Sequence, residues 1–325
     1  MSSGISCSHP KCFIAETGHC FLNSDPVTSC NSYIDNTEKK KERKTKKDNE
    51  TTVFWTGEYF SDADIERVSQ SGSPLIIGVV GTAKAAKTSY LGMLYTLLLN
   101  GHFLSDHFFS GSKTLTAWEK LAFALRFHQG SVYFPEATPS NPDFYSIYHL
   151  SLQKQNKYPK ELFFADASGE VFSQWGINRS EKNAGSARWI HHNSNAFILF
   201  IDCIALIEKK AEAKENILDI ATQLKHNLGE RRVAIVWSKA DKIEEVRPNI
   251  RASLQEELKN IFGVQSSEFE ISNYSTKDPD LKCHKNNLAV LDWLLQSIET
   301  KPAQIFEFEV DKLSQDLFLN YRKGA

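Results

Sequence analysis

Apolar residues along this chain fall into brief continuous runs, separated by longer stretches in which they recur every three or four positions. The runs from Pro74 to Val80 and in "ELFFAD", "NAFILFID" and "RVAIVWS" are bounded by polar residues and rich in β-branched and aromatic side chains, so they predict strands buried on both faces. "FYSIYHLSL" predicts another strand, joined to "ELFFAD" by the polar turn "QKQNKYPK". Helical spacing appears between the runs. A leucine-rich helix is expected from Lys87 to Asn100, stopped by Gly101, and "SKTLTAWEKLAFALRFHQG" suggests a second with its own glycine stop. Ile217, Leu218, Ile220, Ala221, Leu224 and Leu228 share one helical face, and segments Asn249 to Phe262 and Asn287 to Ile298 repeat that spacing. A short acidic helix is expected at Ser61 to Val68. Strands alternating with helices imply an α/β fold, a doubly wound and mostly parallel sheet.

Composition adds boundaries. At 325 residues and 41% hydrophobic content, the chain can bury a large core, and a formal charge of −2 gives it no global electrostatic footprint for nucleic acid. The longest apolar stretch, Ala196 to Ile207, contains Asp202 and falls short of the roughly 18 to 20 residues that span a bilayer. With no secretory signal pattern at the start, a cytoplasmic protein without membrane contact is expected. Lys39 to Lys47 holds seven basic residues against the single acid Glu42, the composition of a solvated linker, though contact with nucleic acid is the alternative. The expected organisation is a Cys-rich head at 1–35, a charged linker at 36–52, a nucleotide-binding domain at 53–299 and a C-terminal tail at 300–325.

Four of the six cysteines, Cys7, Cys12, Cys20 and Cys30, crowd into the head, a piece too short to bury a core. In a reducing compartment such crowding points to a structural Zn²⁺ site, with His9 or His19 able to replace one cysteine as the fourth ligand. Cys203 and Cys283, isolated near expected elements, are read as core residues.

Candidate chemistry begins with "GTAKAAKT". Gly81, Lys87 and Thr88 meet the Gly-x4-Gly-Lys-[Ser/Thr] pattern of a phosphate-binding loop, but Ala86 stands where the second glycine belongs. Backbone N–H groups of such a loop and of the helix start, Ser89 included, cradle phosphates. Lys87 would neutralise phosphate oxygens and Thr88 would offer its hydroxyl to Mg²⁺. An alanine at positive φ costs about 1 kcal/mol, which phosphate contacts can absorb. "ADASGEVF" places Asp166 at a strand end with Gly169 three residues on, suited to a Mg²⁺-holding carboxylate and a phosphate-sensing N–H. Glu170 then sits where a water-orienting side chain belongs, or is a solvated turn residue. Thr138, ahead of the strand expected to pair with the Asp166 strand, is the candidate switch threonine, with Thr114 and Thr116 as rivals. "VWSKAD" delivers Ser238, Lys239 and Asp241, a carboxylate that can accept both hydrogens of guanine's N1–H and N2 amine beside a lysine stem that covers the base. Ser272 is a candidate for the last base-side loop.

With these motifs in order, the chain resembles a GTPase of the translation-factor-related P-loop class, and more narrowly the bacterial double-GTPase proteins, second group, of biological-conflict systems. The segments "GVVGTAKAAKTSYLGMLYTLLLNG", "FFSGSKTLTAWE", "ADASGEVF" and "VWSKAD", with "CSHPKCFIAETGHC" in the head, carry the resemblance. It implies GTP and Mg²⁺ binding and a switch role beside protein partners of a multi-component system, such as defence against phage. Departures are Ala86 for glycine and Ser238 for Asn or Thr. Ala86 and the absence of a water-orienting glutamine favour a nucleotide-binding scaffold as the rival reading, with an ATPase or small-molecule kinase the next. Arg179 is an arginine-finger candidate by proximity alone.

Overall fold

The computed structural model describes residues 5–9, 11–12, 14, 19–35, 57–61, 64–65, 68, 74–102, 104–128, 131–155, 159–274 and 280–299. The basic run at 39–47, the rest of the 36–52 linker and the 300–325 tail lie outside the described residues. The chain divides into two units, Met1–Trp55 and Thr56–Ala325.

In the first unit, β1 (Ile5–Cys7) pairs antiparallel with β2 (Tyr33–Asp35). Ile14, Cys20 and Cys30 form a small buried cluster, with Cys7, Cys12, Val27 and Tyr33 packed against it.

The second unit is built on a seven-stranded sheet. Its strands are β3 (Leu75–Gly81), β4 (Phe108–Gly111), β7 (Ser146–Gln153), β8 (Lys160–Asp166), β9 (Ala196–Asp202), β10 (Arg232–Ser238) and β11 (Ser266–Glu270), in spatial order β11-β10-β9-β3-β8-β7-β4. A separate two-stranded pair joins β5 (Phe127–His128) to β6 (Ser131–Val132). Pairing is parallel from β11 across to β8 and antiparallel for β7 and β4, which form the far edge. The helices are α1 (Lys87–Leu99), α2 (Leu115–Ala124), α3 (Gly169–Ile177), α4 (Gly185–Asn193), α5 (Cys203–Lys209), α6 (Ala211–Lys225), α7 (Pro248–Phe262) and α8 (Asn286–Glu299).

Alternation along the central strands explains the layering. Val80, Leu199, Ile201 and Ile235 project to one core with Phe172, Trp175, Ile190, Ile217, Ile220 and Leu254 from α3, α4, α6 and α7. Their strand neighbours Val79, Ile198, Phe200 and Val236 project to a second core with Tyr90, Leu94, Trp118, Leu291 and Leu294 from α1, α2 and α8. The sheet is therefore covered on both faces, as the continuous apolar runs required.

Some elements differ from the sequence expectation. The helix in "SKTLTAWEKLAFALRFHQG" ends at Ala124, well short of Gly130, because Phe127 and His128 leave it to pair with β6. The strand β4, the helices α3, α4 and α5 and the edge strand β11 were not legible: β11 reads "SSEFE", with no apolar run. Cys203 and Cys283 are buried, as expected of core residues. Strand β3 lies between β8 and β9, on which sides the order reverses, so a crevice opens beyond the C-terminal end of β3.

Candidate functional site

Into that crevice runs the loop Thr82 to Ala86, linking β3 to α1. Ala86 caps α1 with φ 62° and ψ 24°, the left-handed conformation the missing glycine would have adopted freely. Its carbonyl accepts from Tyr90 N at 2.9 Å, so the helix begins despite the strain. The first turn of α1 carries no acidic residue, which leaves its N–H groups open to an anion. Lys87 is buried, and its Nζ donates to Gly81 O and Thr82 O at 3.1 Å each.

At the end of β8, Asp166 is fully buried. The Thr88 hydroxyl donates to its Oδ2 at 2.7 Å and lies 3.3 Å from the Thr138 hydroxyl, whereas Asp166 Oδ1 has no hydrogen-bond partner. Burial pushes the Asp166 carboxyl up and the Lys87 ammonium down, and in each case the other's charge opposes the shift without overcoming it. For both groups desolvation thus outweighs their mutual attraction. The orphaned Asp166 oxygen beside two hydroxyls is a hard-oxygen donor set of the kind that could hold Mg²⁺, and Lys87 with the α1 N-terminus could hold phosphate.

Of the three candidate threonines, only Thr138 is brought to this cluster. Thr114 is buried away from it, where its Oγ1 accepts from His149 N at 2.8 Å, and Thr116 packs at Gly57. Ser140 lies 3.3 Å, hydroxyl to hydroxyl, from Ser168, which caps α3 by accepting from Glu170 N. The segment bearing Thr138 and the turn after Asp166 are therefore tied together. Gly169 opens α3 directly on the phosphate loop, where a Cβ would stand 2.1 Å from Ala83 N and 2.2 Å from Thr82 C. Glu170 is exposed in the first turn of α3, and Ser89 sits in the first turn of α1. Arg179 lines a cavity of about 380 Å³ with Trp175 and Arg188 and has no place in the Lys87 cluster.

On the opposite flank of the loop, Ser238, Lys239 and Asp241 follow β10. Lys239 takes φ 54°, and its Nζ pairs with buried Asp202 Oδ2 at 2.7 Å. Asp202 Oδ1 also accepts from Ile204 N at 2.9 Å, capping α5. Ser238 donates to Ile201 O at 3.1 Å, on the neighbouring strand. Ser272 reaches Asp241 Oδ1 at 3.3 Å. Asn273 Nδ2 lies 3.5 Å from Ala86 O, joining the base-side loop to the phosphate loop, while Asn287 Nδ2 holds Ser272 O at 3.1 Å. Asp202, Asn273 and Asn287 were missed from the sequence. The sequence does carry a signal for Asp202, an acid closing an apolar strand.

The expected Zn²⁺ site in the head finds no support. Among the described residues no group of three or more His, Cys, Asp or Glu side chains is placed to hold a metal ion. The thiols adjoin in one small cluster, Cys7 beside Cys12 and within electrostatic reach of Cys30, and Cys20 beside Cys30. Backbone hydrogen bonds from Ser24 and Leu22 lower the Cys20 thiol to about 7. Among the described residues no helix is long and apolar enough to cross a membrane.

Compared with known families, residues 75–294 match the model described as Double-GTPase 2. No curated protein matches the chain. The matched span contains the phosphate loop, Thr138, Asp166, Gly169, the Ser238 to Asp241 turn and Ser272.

Proposed function

The chain belongs to the Double-GTPase 2 family, and on that premise we propose that it is a molecular switch that binds GTP with Mg²⁺ and hydrolyses it slowly to GDP and phosphate. The observation that carries this reading is the convergence of Lys87, Thr88, Thr138 and Asp166, with Asp166 Oδ1 left unpartnered. Lys87 and the loop N–H groups from Gly81 to Ser89 would bind the phosphates. Thr88, Thr138 and Asp166 would hold Mg²⁺, which when bound neutralises charge on the β- and γ-phosphates. Lys239 would cover the base, and Asp241, oriented by Ser272, would accept from guanine N1–H and its amine. Hydrolysis breaks the bond from the γ-phosphorus to the bridging oxygen as water attacks in line, and Glu170 would orient that water. Slow turnover is expected because Arg179 stands in its own cavity and leaves Lys87 as the cationic side chain of the cluster.

The ties from Thr138 to Thr88 and from Ser140 to Ser168 would let the two loops report nucleotide state. Action with protein partners of a conflict system, such as anti-phage defence, rests on the family resemblance, and a cytoplasmic location on the sequence pattern. Zn²⁺ on Cys7, Cys12, Cys20 and Cys30 rests on the cysteine pattern alone, and metal content of the purified protein tests it. A second reading, a nucleotide-binding scaffold with little hydrolysis, is favoured by the exposure of Glu170.

Titration with a fluorescent GTP analogue in Mg²⁺, followed by phosphate release, tests the proposal. Binding lost in Lys87→Ala, with slow release by the wild type, supports the switch. Binding without release supports the scaffold, and binding that survives Lys87→Ala contradicts both.

A further inference from the structure

A second cavity, of about 500 Å³, lies between residues 59–61 and 64, the chain entering β7 and the start of α4. Its walls are aromatic. Tyr145 and Trp189 stack at 4.5 Å with 20° between their planes, and Tyr59 meets Phe144 edge-on at 5.7 Å. Two carboxylates, Asp64 and Asp143, are the charged members of the lining among the described residues. The absent side chain of Gly185 makes room for Asp143, since a Cβ there would stand 2.4 Å from Asp143 Oδ1. Beside it Ser186, fully buried and part of the same wall, has a hydroxyl with no hydrogen-bond partner. A buried hydroxyl left unpaired by the fold is a group that a ligand can satisfy.

We propose that this cavity binds an organic cation, an alkylammonium or guanidinium group. Ring faces attract a cation through their quadrupole, carboxylates supply the opposite charge, and the Ser186 hydroxyl can accept one N–H. An anion would meet two carboxylates and, among the described lining residues, no compensating charge. A bare metal ion would be met by two carboxylates among rings, too few oxygen ligands for a hard divalent cation. The same chemistry is presented by a free amine and by the lysine or arginine side chain of a protein partner. Binding here does not require the nucleotide reading, because none of the lining residues belongs to the Lys87 cluster or the base-side loops. The cavity does touch the segment that bears Thr138, since Ser186 N donates to Pro142 O at 2.7 Å and Asp143 follows directly.

The test is calorimetric titration of the full chain with choline and butylguanidinium, against 3,3-dimethylbutan-1-ol, the uncharged isostere of choline. A short peptide with a single lysine or arginine forms the second arm. The cations are expected to bind at least about tenfold more tightly than the alcohol, and Asp143→Asn or Tyr59→Leu, both at exposed positions, should reduce that preference about tenfold. Tighter binding of the peptide than of free cations identifies a partner's side chain as the source; the reverse identifies a small amine. Equal binding of alcohol and choline, or no binding by either cation or the peptide, overturns the proposal.

Discussion

Ala86 offers a direct energetic test of the loop's geometry. Its φ of 62° places an L-residue with a Cβ in the left-handed region, at a cost of about 1 to 2 kcal/mol. Ala86→Gly removes that cost but returns roughly 0.5 to 1 kcal/mol through the greater freedom of glycine in the unfolded chain. A net gain of about 0.5 to 1 kcal/mol is expected. The contacts of Ala86 with Tyr90 N and Asn273 Nδ2 run through its carbonyl and survive the change. Ala86→Val should act in the opposite sense, because a β-branched residue is an outlier at positive φ, and a loss of about 2 kcal/mol is expected. Urea denaturation of the three proteins without nucleotide gives these differences, with the m-value checking that compactness is unchanged. Destabilisation by Ala86→Gly, together with an indifferent Ala86→Val, would show that the strain assigned to this residue is absent.

Gly169→Ala should cost about 2 kcal/mol or more, read as a lowered Tm, because its Cβ would fall on the backbone of Thr82 and Ala83, which has no rotamer to escape by; full stability of this variant would mean that α3 does not rest on the loop. His191 lies against the rings of Trp175 and Phe197, and burial pushes its imidazole down to about 4, with Leu224 O opposing and Arg231 reinforcing the shift. Between pH 6.5 and 4 the unfolded chain therefore takes up a proton that the native state refuses. Stability should fall by about 2 to 3 kcal/mol as pH drops through that window. His191→Gln should show a smaller loss between pH 7.5 and 4.5, and an equal loss would refute the assignment.

The strands that frame the site were legible because their apolar runs are continuous: "LIIGVV", "LFFA", "AFILFI" and "VAIVW" are buried along nearly their whole length. Gly81, Lys87, Thr88, Asp166, Lys239 and Asp241 were legible because each stands at a fixed offset from such a run. Partnerships across the fold left no local pattern. The pairing of Lys239 with Asp202 spans two strands, and the contact of Asn273 with Ala86 joins residues far apart in sequence. Helix α4 was hidden for another reason: "GSARWIHHN" buries mainly small or polar side chains, Ser186, Ala187 and His191, around the single aliphatic Ile190. The cysteine pattern of the head signalled crowding correctly, since all four thiols share one small cluster, but among the described residues they do not make a metal-ligand set.

The central claim is guanine-nucleotide recognition, and competition for a bound fluorescent GTP analogue by GTP, ATP and XTP, in wild type and Asp241→Asn, tests it most directly. The wild type should prefer GTP over ATP by about ten- to a hundredfold, because adenine leaves the Asp241 carboxylate without its paired donors. Asp241→Asn should lose that preference and favour XTP, whose C2 carbonyl can accept from the new amide. Equal competition by GTP and ATP in the wild type, or a GTP preference untouched by Asp241→Asn, would contradict the assignment of the base site.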